Sequence, residues 1–427
     1  MAENQPEKTK TAMTSELSDL AALLRARLFA EEGSPGGYPL RDERDFNALA
    51  LRLFALQFGF NAPYRRLCEA RGIRPESIAS WKDIPAMPTG AFKELELSCL
   101  QPSERVTVFH SSGTTGHRPS RHFHSRESLR VYEASLWPWF RAHVLPGFQR
   151  SGRFAFLAPP PAQAPHSSLV HMFATIRSRA CESADSAPVP GAGPFLGQAS
   201  DEGWTLDFAG ALEFLDVVSE SGRPAALLGT AFSFVHLCDF LEAKQLRFTL
   251  PPGSRVMETG GYKGRSRSLP GAELRAFIAD RLGISAGRIL CEYGMSELSS
   301  QAYDRAVPEE SSADAPVRET SFALAGGRGC PRSLPASVAI HQRRGDSAGV
   351  FRFPPWARSQ VISPETGGEV EDGETGLLRI VDLANVFSVL AVQTEDLAVR
   401  RGDGFELLGR SEAAEPRGCS LTAAAIH

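Results

Sequence analysis

The sequence predicts an α/β fold with a smaller β-rich subdomain, and three observations carry the prediction. From about Val106 onward, short apolar runs (RFAFLAP at 153–159, AALLGT ending at Thr230, SRVMETGG at 254–261, RILCEYG at 288–294) end in Gly/Ser/Thr loops and give way to helical patterns. Such alternation is the mark of an α/β architecture. Amphipathic helical stretches precede these runs, and a segment rich in turns and β-branched residues, PPWARSQVISPETGG through FELLGR, follows them. With 427 residues, 42% of them hydrophobic, the chain can bury a large core and divides into about two or three folding units.

Taken in order, residues 1–14 are expected to be a disordered start. Thr14 or Ser15 then caps a helix in which Leu17, Leu20, Leu24 and Leu28 recur at helical spacing, until EEGSPGGYP ends it. A second helix from about Asp45 carries Phe46, Leu49, Leu53, Leu56 and Gln57, and a third holds Tyr64, Leu67 and Cys68. Together, 15–105 form a helical entrance to the large domain, 106–335 an α/β core, 336–408 the β-rich subdomain and 409–427 a short tail. The stretches around 184–203 and 306–335, rich in Ala, Ser, Pro, Gly and acid, are expected to be mobile loops.

Charge and cysteine content exclude several function classes. With 46 Lys+Arg against 50 Asp+Glu and a net charge of -4, the chain has no long basic run, which argues against nucleic acid or a membrane surface as partner. The seven cysteines are widely spaced without a C-x-x-C, so neither a disulfide framework nor a zinc knuckle is expected, and a reducing cytoplasm fits. The polar start lacks a signal core, and no stretch reaches the ~18–20 apolar residues of a membrane span.

The sharpest local feature is Ser111-Ser112-Gly113-Thr114-Thr115-Gly116, directly after the strand-like VTVF. Small residues let successive backbone N–H groups face one concavity, and four hydroxyls add donors, as several phosphate oxygens require. Alone, the run reads equally well as a tight polar turn, and the Walker pattern G-x-x-x-x-G-K-[ST] is absent from the sequence. His122 and His124, two apart in RHFHS, share a face if extended and read as structural or substrate-lining groups rather than a metal pair. Cys238 and Cys291 lie in apolar runs and read as core.

Later segments decide between the two readings of the loop. SSGTTG with Ser120-Arg121-His122, GTAF (229–232), ETGGYKGRSR (258–267), CEYGMSELSSQAYD (291–304), PPWAR (354–358), DLAN (382–385), TED (394–396) and RGCSL (417–421) resemble in order and spacing the adenylate-forming superfamily. Within it they resemble the acyl-protein synthetase family of bacterial bioluminescence, the LuxE type, over roughly residues 40–425. The resemblance implies that a carboxylic acid, fatty or aryl, is condensed with ATP to acyl-AMP and pyrophosphate. It implies that the loop hydroxyls and N–H groups hold the β- and γ-phosphates, that Glu297 holds Mg²⁺, that Tyr293 flanks adenine beside Gly294, and that Ser296 bonds the α-phosphate. Asp396 then takes the ribose hydroxyls, Gly260 and Gly261 let backbone approach adenine, and Arg410 marks the hinge before the C-terminal part.

The chain also departs from the superfamily. Only 17 residues follow Arg410, none of them lysine, where the superfamily carries a C-terminal domain with a lysine for the α-phosphate; Lys263, with Arg265 beside it, is the candidate replacement. In the tail, Arg417 and an alanine-rich segment flank Cys419, a setting that lowers a thiol pKa from its reference of about 8.5. The resemblance implies that this cysteine takes the acyl group as a thioester and passes it to an acyl reductase or another accepting protein. Two rival readings are an acyl-CoA ligase of the phenylacetate type and a non-catalytic nucleotide- or acyl-binding subunit of a reductase complex. Phe232, Phe234, Tyr262 and Trp356 are candidate walls of the acid pocket.

Overall fold

The computed structural model describes residues 5–27, 42–111, 118–149, 151–182, 193–200, 203–260, 269–307 and 349–410. The first helix, α1 (Gln5–Arg27), starts well before the expected cap at Thr14 or Ser15. Pro6 lies in its first turn, where the missing N–H has no partner to lose. Leu17, Leu20, Ala21 and Leu24 are buried along one stripe. Asp42 opens α2 (Glu43–Phe60), its carboxylate accepting from the Arg44 N–H at 2.9 Å. Asn61 ends α2 and caps α3 (Ala62–Ala70) through the Tyr64 N–H, an economical hinge between two helices. After β1 (Met87–Pro88) and the one-turn α4 (Ala91–Glu94), the hairpin of β2 (Thr107–His110) and β3 (Arg121–His124) brackets the SSGTTG run.

The α/β core follows as α5 (Arg126–Val144), β4 (Arg153–Leu157), α6 (Ser168–Glu182), the hairpin β5 (Gly197–Ser200) and β6 (Gly203–Leu206), α7 (Phe208–Ser221), β7 (Ala225–Thr230), α8 (Ala231–Ala243), β8 (Arg255–Thr259), α9 (Gly271–Leu282), β9 (Ile289–Tyr293) and β10 (Ala302–Tyr303). Its sheet runs β10-β9-β8-β7-β4, with β4, β7, β8 and β9 parallel and β10 antiparallel at the edge. Helices α7, α8 and α9 pack on one face and α5 and α6 on the other. The strands are therefore mostly apolar rather than alternating, and β7 and β8 are buried at every position, the latter including Arg255 and Glu258. The register aligns Thr230 with Thr259 and Thr259 with Glu292, so these residues and Tyr293 share the C-terminal edge of the sheet. Open α/β sheets bind ligands at that edge.

The β-rich part is a second sheet of β11 (Val350–Phe351), β12 (Ala357–Ile362), β13 (Thr375–Asp382), β14 (Ala391–Arg401) and β15 (Gly404–Arg410), ordered β11-β15-β14-β13-β12 with antiparallel neighbours. Strand β1 joins it, pairing parallel with β14. Helices α1 and α2 share one apolar core with this sheet, through Phe46, Leu53 and Phe54 against Leu378, Ile380 and Val392. The helical entrance is thus built onto the second sheet. Around 184–203 the loop expectation needs correcting, because Gly197–Ser200 pairs with Gly203–Leu206; from 308 to 348 the other expected loop lies outside the described residues. Among the described residues no helix is long and apolar enough to cross a membrane.

Candidate active site

The site grows from the β2–β3 hairpin. The Ser111 N–H donates to the Ser120 carbonyl at 3.4 Å, and the Ser120 N–H donates to the Ser111 hydroxyl at 3.0 Å, so the two ends of the polar run are joined. Ser112, Gly113, Thr114, Thr115 and Gly116 lie outside the described residues. The His110 N–H donates to the His166 carbonyl at 2.9 Å, which ties the hairpin to the segment before α6.

Across from the hairpin, the turn that follows β9 carries Gly294, Ser296 and Glu297. The Ser120 and Ser296 hydroxyls lie 3.4 Å apart, and the Ser296 hydroxyl donates to Glu297 Oε2 at 3.0 Å. His122 Nδ1 lies 2.8 Å from the Ser296 carbonyl. A carbonyl only accepts, so Nδ1 carries the proton. Burial holds the His122 pKa down at about 4, which keeps the ring neutral. His124, buried beside it with ring centroids 4.2 Å apart, is likewise pushed well below its usual range. A Cβ at position 294 would meet the Glu292 carboxylate, which would have to shift to admit it. Gly260 ends β8 with φ of +72°, a left-handed conformation that favours glycine.

From the second sheet, Asp396 faces the same crevice. The Tyr293 phenol donates to Asp396 Oδ2 at 2.7 Å, and Arg410, opposite Asp396 in the β14–β15 register, places its Nε 3.6 Å from Oδ1. The Tyr293 ring meets Phe351, Phe353 and Phe405 edge-on. Burial and the Asp396 carboxylate push its phenol pKa upward, so it remains a donor. The Arg410 side chain is 77% exposed, so its pairing with Asp396 is a solvent-screened contact.

The floor of the crevice is acidic. Burial raises Glu258 to about 7, partly offset by a hydrogen bond with Cys291, and burial raises Glu292 to about 7, partly offset by its hydrogen bond from the Thr259 hydroxyl. Burial first, then the carboxylates of Glu258 and Asp304, push the Cys291 thiol well up, so it is protonated and inert. Cys238 is fully buried, in agreement with its reading as core. Among the described residues, Cys68, Cys99, Cys181, Cys238 and Cys291 form no disulfide, and no three His, Cys, Asp or Glu side chains converge as a metal cage.

The fold therefore brings together Ser111, Ser296, Glu297, Tyr293, Gly294, Asp396, Arg410 and Gly260, whereas Gly261, Lys263 and Cys419 lie outside the described residues. Two expected pocket walls are corrected. Trp356 is fully buried and donates its indole N–H to the Ser135 hydroxyl at 2.8 Å, and Phe234 is fully buried in the core under α8. Phe232 is nearly buried, 6.4 Å from the Trp204 ring, and Tyr262 lies outside the described residues. Sequence reasoning assigned no role to Asp382 and Asn385, which hold the Glu297 turn from behind. The signal was the DLAN segment, polar at both ends of an otherwise apolar stretch.

This fold is that of the large domain of the adenylate-forming enzymes. A solved 2-hydroxyisobutyryl-CoA ligase, in the postadenylation state in complex with R3-HIB-AMP, superposes with a TM-score of 0.57 at 15% identity, over 88% of this chain and 69% of that one. The same ligase with 2-HIB-AMP and CoA in the thioesterification state gives 0.56 at 15%, over 89% and 75%. In sequence, the chain is 21% identical to the long-chain-fatty-acid–luciferin-component ligase of Vibrio harveyi over 91% of its own length and 90% of that protein's. It is 19% identical to the ligase of the same name from Aliivibrio fischeri, over 97% and 94%. The family model described as acyl-protein synthetase, LuxE, matches residues 38–304, and the chain belongs to that family.

Proposed function

We propose that the protein activates a carboxylic acid, fatty or aryl, with ATP and carries the acyl group as a thioester on Cys419 for transfer to an acyl-accepting protein such as a reductase. The observation that carries this reading is the meeting of three elements at one crevice. The Ser111–Ser120 hairpin base lies against Ser296, Ser296 donates to Glu297, and Tyr293 holds Asp396 from the second sheet.

In the first half-reaction a carboxylate oxygen of the acid attacks the α-phosphorus of ATP, and the bond from that phosphorus to the bridging oxygen of pyrophosphate breaks. The loop donors hold the β- and γ-phosphates. Ser296, fixed by His122 and pointing at the hairpin base, bonds the α-phosphate. Asp396 accepts from the two ribose hydroxyls with oxygens already oriented by Tyr293. Lys263 supplies the positive charge that the superfamily takes from its C-terminal domain.

The residues fit a magnesium ion that arrives with the nucleotide. Glu297 is 5% exposed and uses one oxygen on Ser296, leaving the other for a cation, and Mg²⁺ is held by one or two carboxylates together with substrate phosphates. Bound there, the ion neutralises phosphate charge.

In the second half-reaction the Cys419 thiolate attacks the acyl carbonyl, AMP departs with the electron pair of the broken C–O bond, and a thioester remains. The names of the curated relatives, ligases joining a long-chain fatty acid to a luciferin component, support an acyl-accepting protein as the final destination. The deciding experiment is a screen of fatty and aryl acids for acid-dependent ATP–pyrophosphate exchange. Exchange with a defined set of acids is expected. Its absence with every acid, despite ATP binding, leaves a non-catalytic nucleotide-binding subunit as the function, and transfer only to added CoA makes the protein a CoA ligase.

A further inference from the structure

The turn that carries Ser296 and Glu297 makes few of its own backbone bonds, and most of its polar groups are taken by side chains from elsewhere. Behind it, Asp382 at the end of β13 is fully buried and accepts from the Ser299 N–H at 2.9 Å, the Ser300 hydroxyl at 2.7 Å and the Ala384 N–H at 2.9 Å. Asn385, three residues on, donates its amide to the Glu297 carbonyl at 2.9 Å and to the Val389 carbonyl at 3.1 Å, and accepts from the Ser299 hydroxyl at 2.7 Å. The Asn385 loop is itself held by α2. Gln57, fully buried, donates to the Asn385 carbonyl at 2.7 Å and to the Val386 carbonyl at 3.1 Å, and accepts from the Leu390 N–H at 2.9 Å.

A buried polar group without a partner is costly, so a fully satisfied network of this kind has one low-energy arrangement and transmits it to whatever it touches. Here it touches residues 297, 299 and 300. Among the described residues, the opposite side of the turn meets His122 on the Ser296 carbonyl and the Ser120 hydroxyl, and the Ser135 hydroxyl lies 3.0 Å from that of Ser300. The Glu297 carboxylate contacts neither Asp382 nor Asn385 in the hydrogen-bond pattern; they act on it through its own backbone.

We infer that Asp382 and Asn385 are positioning residues, which set the Glu297 turn at the crevice and make its geometry depend on the second sheet and on Gln57 of α2. The inference rests on the proposed role of Glu297, and it states which part of the molecule that role depends on. A residue that orients a ligand-holding carboxylate from behind commonly changes affinity or rate by about 10- to 100-fold.

The test compares Asp382→Asn, which keeps the shape and loses the acceptor for one donor, with Ser299→Ala, a milder change that removes only the bond to Asn385. Hydrogen exchange on the whole protein is expected to rise about tenfold or more in the peptide spanning 294–301, while β7 and β8 keep their protection. In acid-dependent ATP–pyrophosphate exchange, kcat should fall about 10- to 100-fold in Asp382→Asn with KM for ATP changed less than about threefold. Combined with Glu297→Gln, Asp382→Asn should add little further loss, because both act through one carboxylate. Unchanged exchange in 294–301, or losses that multiply in full in the double variant, overturns the inference. If Asp382→Asn loses protection throughout the molecule, Ser299→Ala serves as the folded variant, and unchanged exchange in its 294–301 peptide then overturns the inference. If the parent protein exchanges pyrophosphate with no acid, the activity reading falls, and the hydrogen-exchange result alone decides the positioning claim.

Discussion

Tyr293 and Asp396, 103 residues apart, are joined by a 2.7 Å hydrogen bond in which the phenol donates to Oδ2. The bond ties the end of β9 in the parallel sheet to β14 in the antiparallel one. In the proposed ribose-binding role of Asp396 it would also fix one carboxylate oxygen before the ribose arrives, leaving less ordering to accompany binding. Tyr293→Phe removes this one bond and keeps the ring among Phe351, Phe353 and Phe405. The expected result is a rise in KM for ATP of about three- to tenfold, the worth of a typical net hydrogen bond. Asp396→Ala should raise it further. Equal ATP affinity in all three proteins, read by equilibrium titration, would place the ribose elsewhere.

Glu297→Gln removes one charge at constant shape. Turnover of acid and ATP should fall about 10²- to 10³-fold while the melting temperature stays close to the parent's. Thr115→Val, which deletes a phosphate donor in the loop after β2, should act in the same direction. Formation of acyl-AMP at the parent rate in both variants, followed by mass spectrometry, would mean that the nucleotide lies in another part of the crevice.

Lys263 is assigned the charge that the superfamily draws from a C-terminal domain. Negative charge is redistributed around the α-phosphate in the transition state, so Lys263→Ala should lower the rate of adenylation with little effect on ATP affinity. Parallel losses in rate and affinity would make it a ground-state contact. An unaffected rate would leave Arg265 as the next residue to test.

The buried acids at the crevice floor give a pH signature. Glu292 titrates near 7 in the folded protein, against a reference of 4.5, because burial outweighs its bond from Thr259 and the nearby Glu258 adds repulsion. Its unfolded form releases a proton at lower pH than its folded form, so its contribution to stability is greatest below about pH 4.5 and is lost as pH rises through about 7. Glu292→Gln should therefore be most stabilised relative to the parent above pH 7, with the difference shrinking toward pH 4.5. Taking the difference between the two proteins cancels the opposing trend from His122 and His143, which burial holds down at about 4. Denaturant melts across that range give the difference directly, and a constant difference would mean that Glu292 is ionised throughout.

Much of this architecture was legible because burial on both faces leaves an unmistakable trace: AALLGT and RVMET are strands at every position of those runs. The residues that meet at the crevice were legible for a different reason, since Tyr293, Ser296, Glu297 and Asp396 sit in short segments whose order matches a known family. What escaped notice depended on long-range partners. Met87–Pro88 is a strand only because β14 lies beside it, and Gly197–Ser200 is a mostly exposed hairpin strand without an apolar alternation to announce it. Helix α1 extends back to Gln5 through a polar stretch that lacks a hydrophobic stripe of its own. Gln57 was visible as a polar residue on an apolar helical face, yet its partners, Asn385, Val386 and Leu390, lie more than 300 residues away. No local pattern contains such a pairing.

The two half-reactions separate at Cys419. In the proposed mechanism adenylation uses the loop after β2, Glu297 and Asp396, none of which needs the thiol, so Cys419→Ser should still release pyrophosphate and build acyl-AMP. It should not accumulate a thioester. Labelled acid with ATP should mark the parent protein in a hydroxylamine-sensitive bond that maps to the peptide containing Arg417–Leu421. The labelling rate should rise with pH as the thiolate forms, with its midpoint below the free-thiol reference of about 8.5, because Arg417 favours the anion. The described cysteines with shifted pKa values offer no competing nucleophile: burial pushes Cys68 up to about 12 and holds Cys99 and Cys291 well above the usual thiol range. Truncation after Arg410 should abolish labelling in the same way as the serine variant, and any additional loss of adenylation would trace to Arg410, whose guanidinium stands 3.6 Å from Asp396. Persistent labelling of Cys419→Ser at another cysteine would move the acyl carrier there.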